Sequence, residues 1–190
     1  MWGVGLPPAV TLHRHLQQAP DVMARPPRLP SASYKGHQQV FFTFSTYERQ
    51  PLLIERDLVD KLREQLLRSS QSCHVAVDAY VFMPDHVHIL ARGLTREADL
   101  AAFVGHFKHE TGWHFRRDRD RRLWRAGFHD RLLRDDSDAA AILSYIVNNP
   151  VRAGLVTSAL EYEFWGSFTH SREEVVRRVG GGFIDVCGGG

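Results

Sequence analysis

Apolar positions along this chain follow two rhythms, one of period two and one of helical period. Val40-Phe41-Phe42-Thr43-Phe44-Ser45-Thr46 is dense in aromatic and β-branched residues and predicts a strand. Arg56 to Arg68 repeats Leu58, Val59, Leu62, Leu66 and Leu67 at helical spacing and predicts an amphipathic helix. Val75 to Met83 predicts a second strand, Pro84-Asp85 a turn, and His86 to Arg92 a third strand returning beside it. From Glu97 to about Phe115, Leu100, Ala101, Val104, Phe107 and Lys108 recur at helix spacing. Arg116 to Ala126 predicts a basic loop, and Phe128 to Arg134 a fourth strand. Asp135-Asp136-Ser137-Asp138 then offers N-cap candidates and an acidic first turn for a helix through Asn148.

The order β-α-β-β-α-β-α, with tight turns between paired strands, predicts an α+β fold. Its expected form is a ferredoxin-like antiparallel sheet with helices packed on one face. The folded part is expected over residues 34–170. Residues 1–33 carry Pro7, Pro8, Pro20, Pro26, Pro27 and Pro30, mostly outside any periodic apolar pattern. They predict a disordered N-terminal extension, with a short helix near Val10 to Gln18. Residues 171–190, ending Gly188-Gly189-Gly190, predict a flexible Gly-rich tail.

Composition narrows the class. A chain of 190 residues can bury one core and gives no reason to assume two domains. No apolar run approaches the roughly 18 to 20 residues of a membrane span, so no membrane association is expected. Met1 to Val10 lacks the basic start of a secretory signal, and Cys73 and Cys187 form no spaced set. A reduced, cytoplasmic protein is the simplest expectation. The net charge of +2 decides little, because the charge is unevenly distributed. Between His106 and Arg125 stand Lys108, Arg116, Arg117, Arg119, Arg121, Arg122 and Arg125, against Glu110, Asp118 and Asp120. A local excess of that kind suits phosphate contact, although charge alone describes an ordinary solvated face equally well.

The chemistry concentrates in two short runs, Met83-Pro84-Asp85-His86-Val87-His88-Ile89-Leu90 and Ser144-Tyr145-Ile146-Val147-Asn148-Asn149-Pro150. Side chains two apart on a strand share a face, so His86 and His88 can converge on one divalent ion. A catalytic ion takes a further protein ligand and keeps an open position. Asn149, four residues after Tyr145, is the candidate, because the two would share a helix face. Asn149 also precedes Pro150, and a residue before proline disfavours the α region, so it is expected in the last turn. Imidazole plus an oxygen donor suits Mg²⁺ or Mn²⁺. The phenol of Tyr145, brought beside such an ion, is a candidate nucleophile for a phosphodiester. Each residue has a plainer reading too: His86 and His88 as sheet surface, Tyr145 as a core aromatic, and Asn149 as a helix terminator.

Taken together, MPDHVHIL, FKHETG, the Phe128-His129-Asp130-Arg131 segment, YIVNNPVRAGLV and the Trp165-Gly166-Ser167 segment resemble the REP-associated tyrosine transposases. These belong to the one-tyrosine HUH transposase superfamily, and the resemblance spans roughly residues 34–170. It implies a metal-dependent single-stranded DNA endonuclease and strand transferase acting on hairpin-forming repeat DNA. It assigns His86 and His88 to the metal, Asn149 to the third-ligand position and Tyr145 to the nucleophile. The implied product is a 5′-phosphotyrosine link with a free 3′-OH, and the implied setting is DNA transposition and recombination in a nucleoid-associated protein. Val147 departs from the pattern, since many relatives are polar there, and so does the extension before Tyr34.

Lys108, Arg116, Arg117, Arg119, Arg121, Arg122 and Arg152 are the candidate contacts to the DNA backbone. Trp113 and Trp124 could stack unpaired bases, although core packing is their plainer role. The protein could act as a monomer or as a homodimer. Two readings compete with the nuclease: a domesticated relative that binds hairpin DNA or RNA without cutting, and a hydrolase that uses activated water. The second would not need Tyr145.

Overall fold

A computed structural model describes residues 30–180. The sheet consists of β1 (Gln39–Ser45), β2 (Val75–Met83), β3 (His86–Gly93), β4 (His129–Leu132) and β5 (Trp165–Gly166). Its spatial order is β4-β1-β3-β2-β5, and every pair is antiparallel. The helices are α1 (Arg56–Ser72), α2 (Leu100–Arg119), α3 (Asp136–Arg152) and α4 (Arg172–Gly180). The first four strands have the β-α-β-β-α-β ferredoxin-like arrangement expected from the pattern. No helix among the described residues is long and apolar enough to cross a membrane.

Alternation along the strands divides the core in two. Val40, Phe42, Phe44, Val87 and Ile89 face α1 and α2, where they meet Leu62, Leu66, Phe103 and Phe107. The opposite face carries Ala79, Val81, Met83 and Leu90 against Ile142, Ile146 and Val147 of α3 and Val175 of α4. The helices therefore cover both faces, where one had been expected. β2 has the continuous apolar run of a strand buried on both sides. It also contains a bulge at Asp78: the register steps from Val77↔Ala91 to Ala79↔Leu90, which swaps the faces of the residues that follow. Val147 is 1% exposed in the second core, so an apolar residue suits the position.

The helix ends are set by local chemistry. Asp99 caps α2 by accepting from the amides of Ala101 and Ala102 at 3.1 and 2.9 Å. Asp135 caps α3 by accepting from the amide of Asp138 at 2.9 Å, as the acidic cluster predicted. α2 runs through Arg119 and closes on a left-handed Asp120, so Arg116, Arg117 and Arg119 are helical and the basic loop begins only after them. α3 continues past Pro150 to Arg152; the amides of Ala153 and Leu155 donate to the carbonyls of Asn149 and Pro150, each at 2.9 Å. Asn149 is thereby held inside the helix.

Two further elements were not expected. β5 is only two residues long and pairs with Tyr80 and Val81. α4 begins where a flexible tail had been expected, and Val175 packs into the second core at 1% exposure. The predicted helix near Val10 to Gln18, most of the N-terminal extension and residues 181–190 lie outside the described residues.

Candidate active site

The two-residue turn Pro84-Asp85 closes β2 onto β3, so that Met83 pairs with His86 and Asp85 stands beside the first histidine. β1 holds this end in place. The amide and hydroxyl of Thr46 donate to the Asp85 carbonyl at 2.9 and 3.0 Å, and Thr46 is fully buried. Asp85 Oδ1 lies 2.6 Å from His86 Nδ1, and Arg49 donates to Asp85 Oδ2 at 3.2 Å. Burial alone would raise the Asp85 carboxyl, but hydrogen bonds and charge from His86 and Arg49 hold it below its ordinary value. Asp85 is therefore an ionised acceptor that keeps the Nδ1 proton of His86 on its own side and leaves Nε2 facing the site.

His88 is built in the same way from the neighbouring strand. Register places Thr43 opposite it, and Thr43 Oγ1 lies 2.8 Å from His88 Nδ1. Phe41 stacks on the imidazole with ring centres 5.4 Å apart and planes 22° apart. His88 is 4% exposed. Burial, reinforced by His86, pushes its pKa down to about 3, so it is neutral with a lone pair to offer. The two Nε2 atoms approach to 3.1 Å. Two imidazoles that each ligate one ion at about 2.1 Å, with an angle between right and tetrahedral, have this separation.

α3 lies across this face and brings Tyr145 with it. The phenol oxygen is 3.5 Å from His88 Nε2, at the outer limit of a hydrogen bond. The Tyr145 ring meets His88 edge-on at 5.2 Å and Phe41 at 6.0 Å, and the Arg152 guanidinium lies 5.4 Å from its centre. Asn149, one turn further along α3, is 8% exposed, and no hydrogen bond links its amide to either histidine among the described residues. No cluster of three His, Cys, Asp or Glu side chains suited to a metal occurs among the described residues.

The basic residues divide by partner. Lys108, expected on phosphate, donates its ammonium to the carbonyls of Arg125, at 2.9 Å, and Gly127, and it sits over the Phe44 ring. Arg119 is paired with both carboxylate oxygens of Glu55. These two fasten the protein to itself. Arg117 pairs with Asp118 and covers the Trp113 ring at 5.0 Å, and Arg116 is exposed on α2. Arg121 donates to the Gln50 side chain, and Arg122 covers the Tyr47 ring at 5.5 Å. Their loop runs along the end of β1, where the Tyr47 and Arg125 amides donate to the carbonyls of Leu123 and Ser45 at 2.8 and 3.0 Å. Ser45 pairs with His86, so Arg121 and Arg122 stand at the His86 end of the sheet. Trp124 is core, with its indole N–H donating to Thr111 Oγ1 at 2.8 Å, whereas Trp113 is 54% exposed.

The engagement of Lys108 has a measurable consequence. Lys108→Met should lower stability by about 1–3 kcal/mol, because two carbonyls lose their donor. It should leave the salt dependence of DNA binding unchanged. A shallower salt slope at full stability would return Lys108 to the DNA interface.

Thr43, Asp85 and Phe41 were missed by the sequence reading. Asp85 carries a signal, since it precedes His86 in a turn, but Thr43 and Phe41 reach His88 only through cross-strand register.

Comparison with known proteins identifies relatives of this chain. The family described as "Transposase IS200 like" matches residues 35–149, a span that holds both histidines, Tyr145 and Asn149. A protein of Haemophilus influenzae, named as a REP-associated tyrosine transposase, is 22% identical over 157 residues, spanning 77% of this chain and 89% of that protein. A solved structure of a REP-associated tyrosine transposase bound to a REP hairpin superposes with a TM-score of 0.64 at 21% identity, covering 88% of this chain and 92% of that one. The superposition establishes a shared fold.

Proposed function

This chain belongs to the IS200-like transposase family, and we propose that it is a single-stranded DNA endonuclease and strand transferase that cleaves hairpin-forming repeat DNA through a 5′-phosphotyrosine intermediate. The observation that carries this reading is the meeting of His86 Nε2, His88 Nε2 and the Tyr145 hydroxyl, with 3.1 Å between the imidazoles and 3.5 Å from phenol to His88. The hairpin in the structure of the similar transposase supports the substrate class. The setting that fits is a cytoplasmic, nucleoid-associated protein.

The donor set fits a divalent ion, with His86 and His88 as ligands and Asn149 as the third. Bound Mg²⁺ or Mn²⁺ would act as a Lewis acid on a non-bridging phosphate oxygen. The chain's own residues do the rest. Asp85 and Thr43 fix the two imidazoles so that both Nε2 atoms face one point. Phe41 and Arg152 hold the Tyr145 ring so that its hydroxyl meets the phosphorus. The phenol gives its proton to solvent and its oxygen bonds to phosphorus, while the bond to the 3′ oxygen breaks and that oxygen takes a proton from solvent to leave a 3′-OH. Attack by a second hydroxyl reverses the step and rejoins the strand, because the phosphoester bond energy is retained. Arg121, Arg122 and Arg152 are the arginines best placed to hold backbone phosphates, and Arg116 adds charge on α2. Both histidines and the tyrosine meet within one chain, which supports a site acting in cis, in a monomer or in each subunit of a homodimer.

Labelled single-stranded hairpin oligonucleotides from repeats flanking the gene, incubated with Mn²⁺ or Mg²⁺, test this reading on a denaturing protein gel. A labelled band at the mass of the protein, abolished by EDTA, is expected. Hairpin binding without any covalent band, in both metals, would instead describe a non-cutting DNA-binding relative. The support for the histidines is testable by calorimetry with Mn²⁺. Thr43→Val should weaken divalent-ion affinity about 10–100-fold by freeing the His88 ring. Unchanged affinity would remove Thr43 from the metal site.

A further inference from the structure

Strand alternation divides the run Phe128-His129-Asp130-Arg131 between the two faces of the sheet. Phe128 meets Phe42 edge-on at 5.5 Å, and Asp130 accepts from the Tyr34 hydroxyl at 2.9 Å, both on the side of α1 and α2. Register pairs His129 with Thr43 and Arg131 with Phe41. Thr43 and Phe41 both reach His88, so His129 and Arg131 project from the face that carries the two histidines and Tyr145.

That face is only half covered. α3 lies over β2 and β3, where Ile142, Ile146 and Val147 pack on Ala79, Val81, Met83 and Leu90. Over β1 and β4 a strip stays open: Phe41, Thr43 and Ser45 are partly exposed, and His129 and Arg131 are exposed. Arg131 is held by Asp138 of α3 at 2.6 Å, and Thr43 is engaged with His88 Nδ1. The His129 imidazole makes no hydrogen bond or ion pair among the described residues. One row therefore crosses the sheet as His88, Thr43 and His129, on β3, β1 and β4. Neighbouring strands lie about 4.8 Å apart, so the two histidines stand about 10 Å apart at the backbone, with the space above Thr43 between them. That span admits a phosphodiester with an imidazole on either side.

Cleavage puts negative charge on the departing 3′ oxygen, and an alkoxide leaves poorly unless it receives a proton as the bond breaks. The choice of donor is narrow. Arg131, like Arg121, Arg122 and Arg152, keeps its protons. His86 and His88 are committed to the metal position, and Tyr145 is the nucleophile. On the open strip, the His129 imidazole is the group that can give and regain a proton near neutrality.

We infer that His129 is the general acid of the cleavage step. As the Tyr145 oxygen bonds to phosphorus, the electron pair of the breaking bond passes to the 3′ oxygen, which takes the proton of the His129 imidazolium in place of one from solvent. The neutral imidazole then serves as the base that removes the proton of a 3′-OH when the strand is rejoined. This deepens the proposed nuclease reading and rests on it for the reaction.

The test replaces the scissile 3′ oxygen by sulfur. A thiolate leaves without a proton, because a thiol, with a pKa of about 8.5 in cysteine, is far more acidic than an alcohol. Single-turnover adduct formation in Mn²⁺ is followed on the oxygen and sulfur hairpin oligonucleotides with the full chain, His129→Ala and His129→Gln. Glutamine keeps a hydrogen-bond donor that cannot transfer its proton. His129 is exposed on an edge strand, so both variants leave the packed core intact. Both should slow adduct formation on the oxygen substrate by about 10²–10⁴-fold and regain near wild-type rates on the sulfur substrate. Equal losses on the two substrates, or no loss on either, would overturn the general acid while leaving the nuclease reading intact. A wild type that forms no adduct with either oligonucleotide would sink the nuclease reading and the role of His129 with it.

Discussion

Tyr145→Phe should abolish the covalent protein–DNA adduct and slow strand cleavage by at least about 10⁴-fold, the order of loss seen when a nucleophile that acts within a catalytic unit is removed. The substitution deletes one oxygen and keeps the ring. The edge-on contacts with His88 and Phe41 and the Arg152 guanidinium above the ring remain available to phenylalanine. The lost contact is a 3.5 Å approach to His88 Nε2, too long to hold much stability, so unfolding should shift by less than about 1 kcal/mol. Hairpin affinity measured in EDTA should also be unchanged. Binding and folding thus serve as internal controls, and the adduct reads the chemistry alone. Cleavage that survives the substitution would eliminate the covalent mechanism and favour hydrolysis by activated water at the same histidines.

The parts of the site that lie within one element were legible in the sequence. The period of two puts His86 and His88 on one side of β3 whatever else the fold does, and Asp135 reads as a helix cap from its neighbours alone. What depends on tertiary placement was not legible. α1 and α2 lie within β-α-β units, whose right-handed crossovers commit both to one face. α3 follows β4 as the end of the pattern, so that rule says nothing about its face. It crosses to the other side, and Tyr145 meets His88 only because it does. The end of α2 was misread because arginine is a good helix former and a basic run carries no stop signal before Asp120. Lys108 and Arg122 look alike in the sequence; one is tied to backbone carbonyls inside the molecule and the other lies over Tyr47 at the His86 end of the sheet. Trp113 and Trp124 differ in the same way, one exposed and one buried, through turns of helix and loop that composition does not encode.

Replacing His86 and His88 together by alanine should remove the adduct as completely as Tyr145→Phe does, with a loss of at least about 10³-fold in cleavage, because both nitrogens of the candidate metal site go at once. Calorimetry with Mn²⁺ should then show no binding. The fold is the point to guard, since His88 is 4% exposed and its removal leaves space beneath Phe41 and Tyr145. His86→Ala alone answers this, because that side chain is 22% exposed at the sheet end and its loss opens no core cavity. It should retain hairpin binding while losing most of the adduct. The two kinds of variant can also be mixed. Tyr145 and the histidines meet within a single chain, so a protein lacking the histidines cannot lend its tyrosine to one lacking the tyrosine unless α3 leaves its own sheet. Such a move would expose Ile142, Ile146 and Val147, all buried against β2 and β3. At about 25 cal/mol per Å² of apolar surface, exposure of three large side chains costs several kcal/mol. No adduct should therefore reappear in the mixture. Its recovery to near wild-type yield would mean that α3 exchanges between copies and that the working form is a dimer with shared sites.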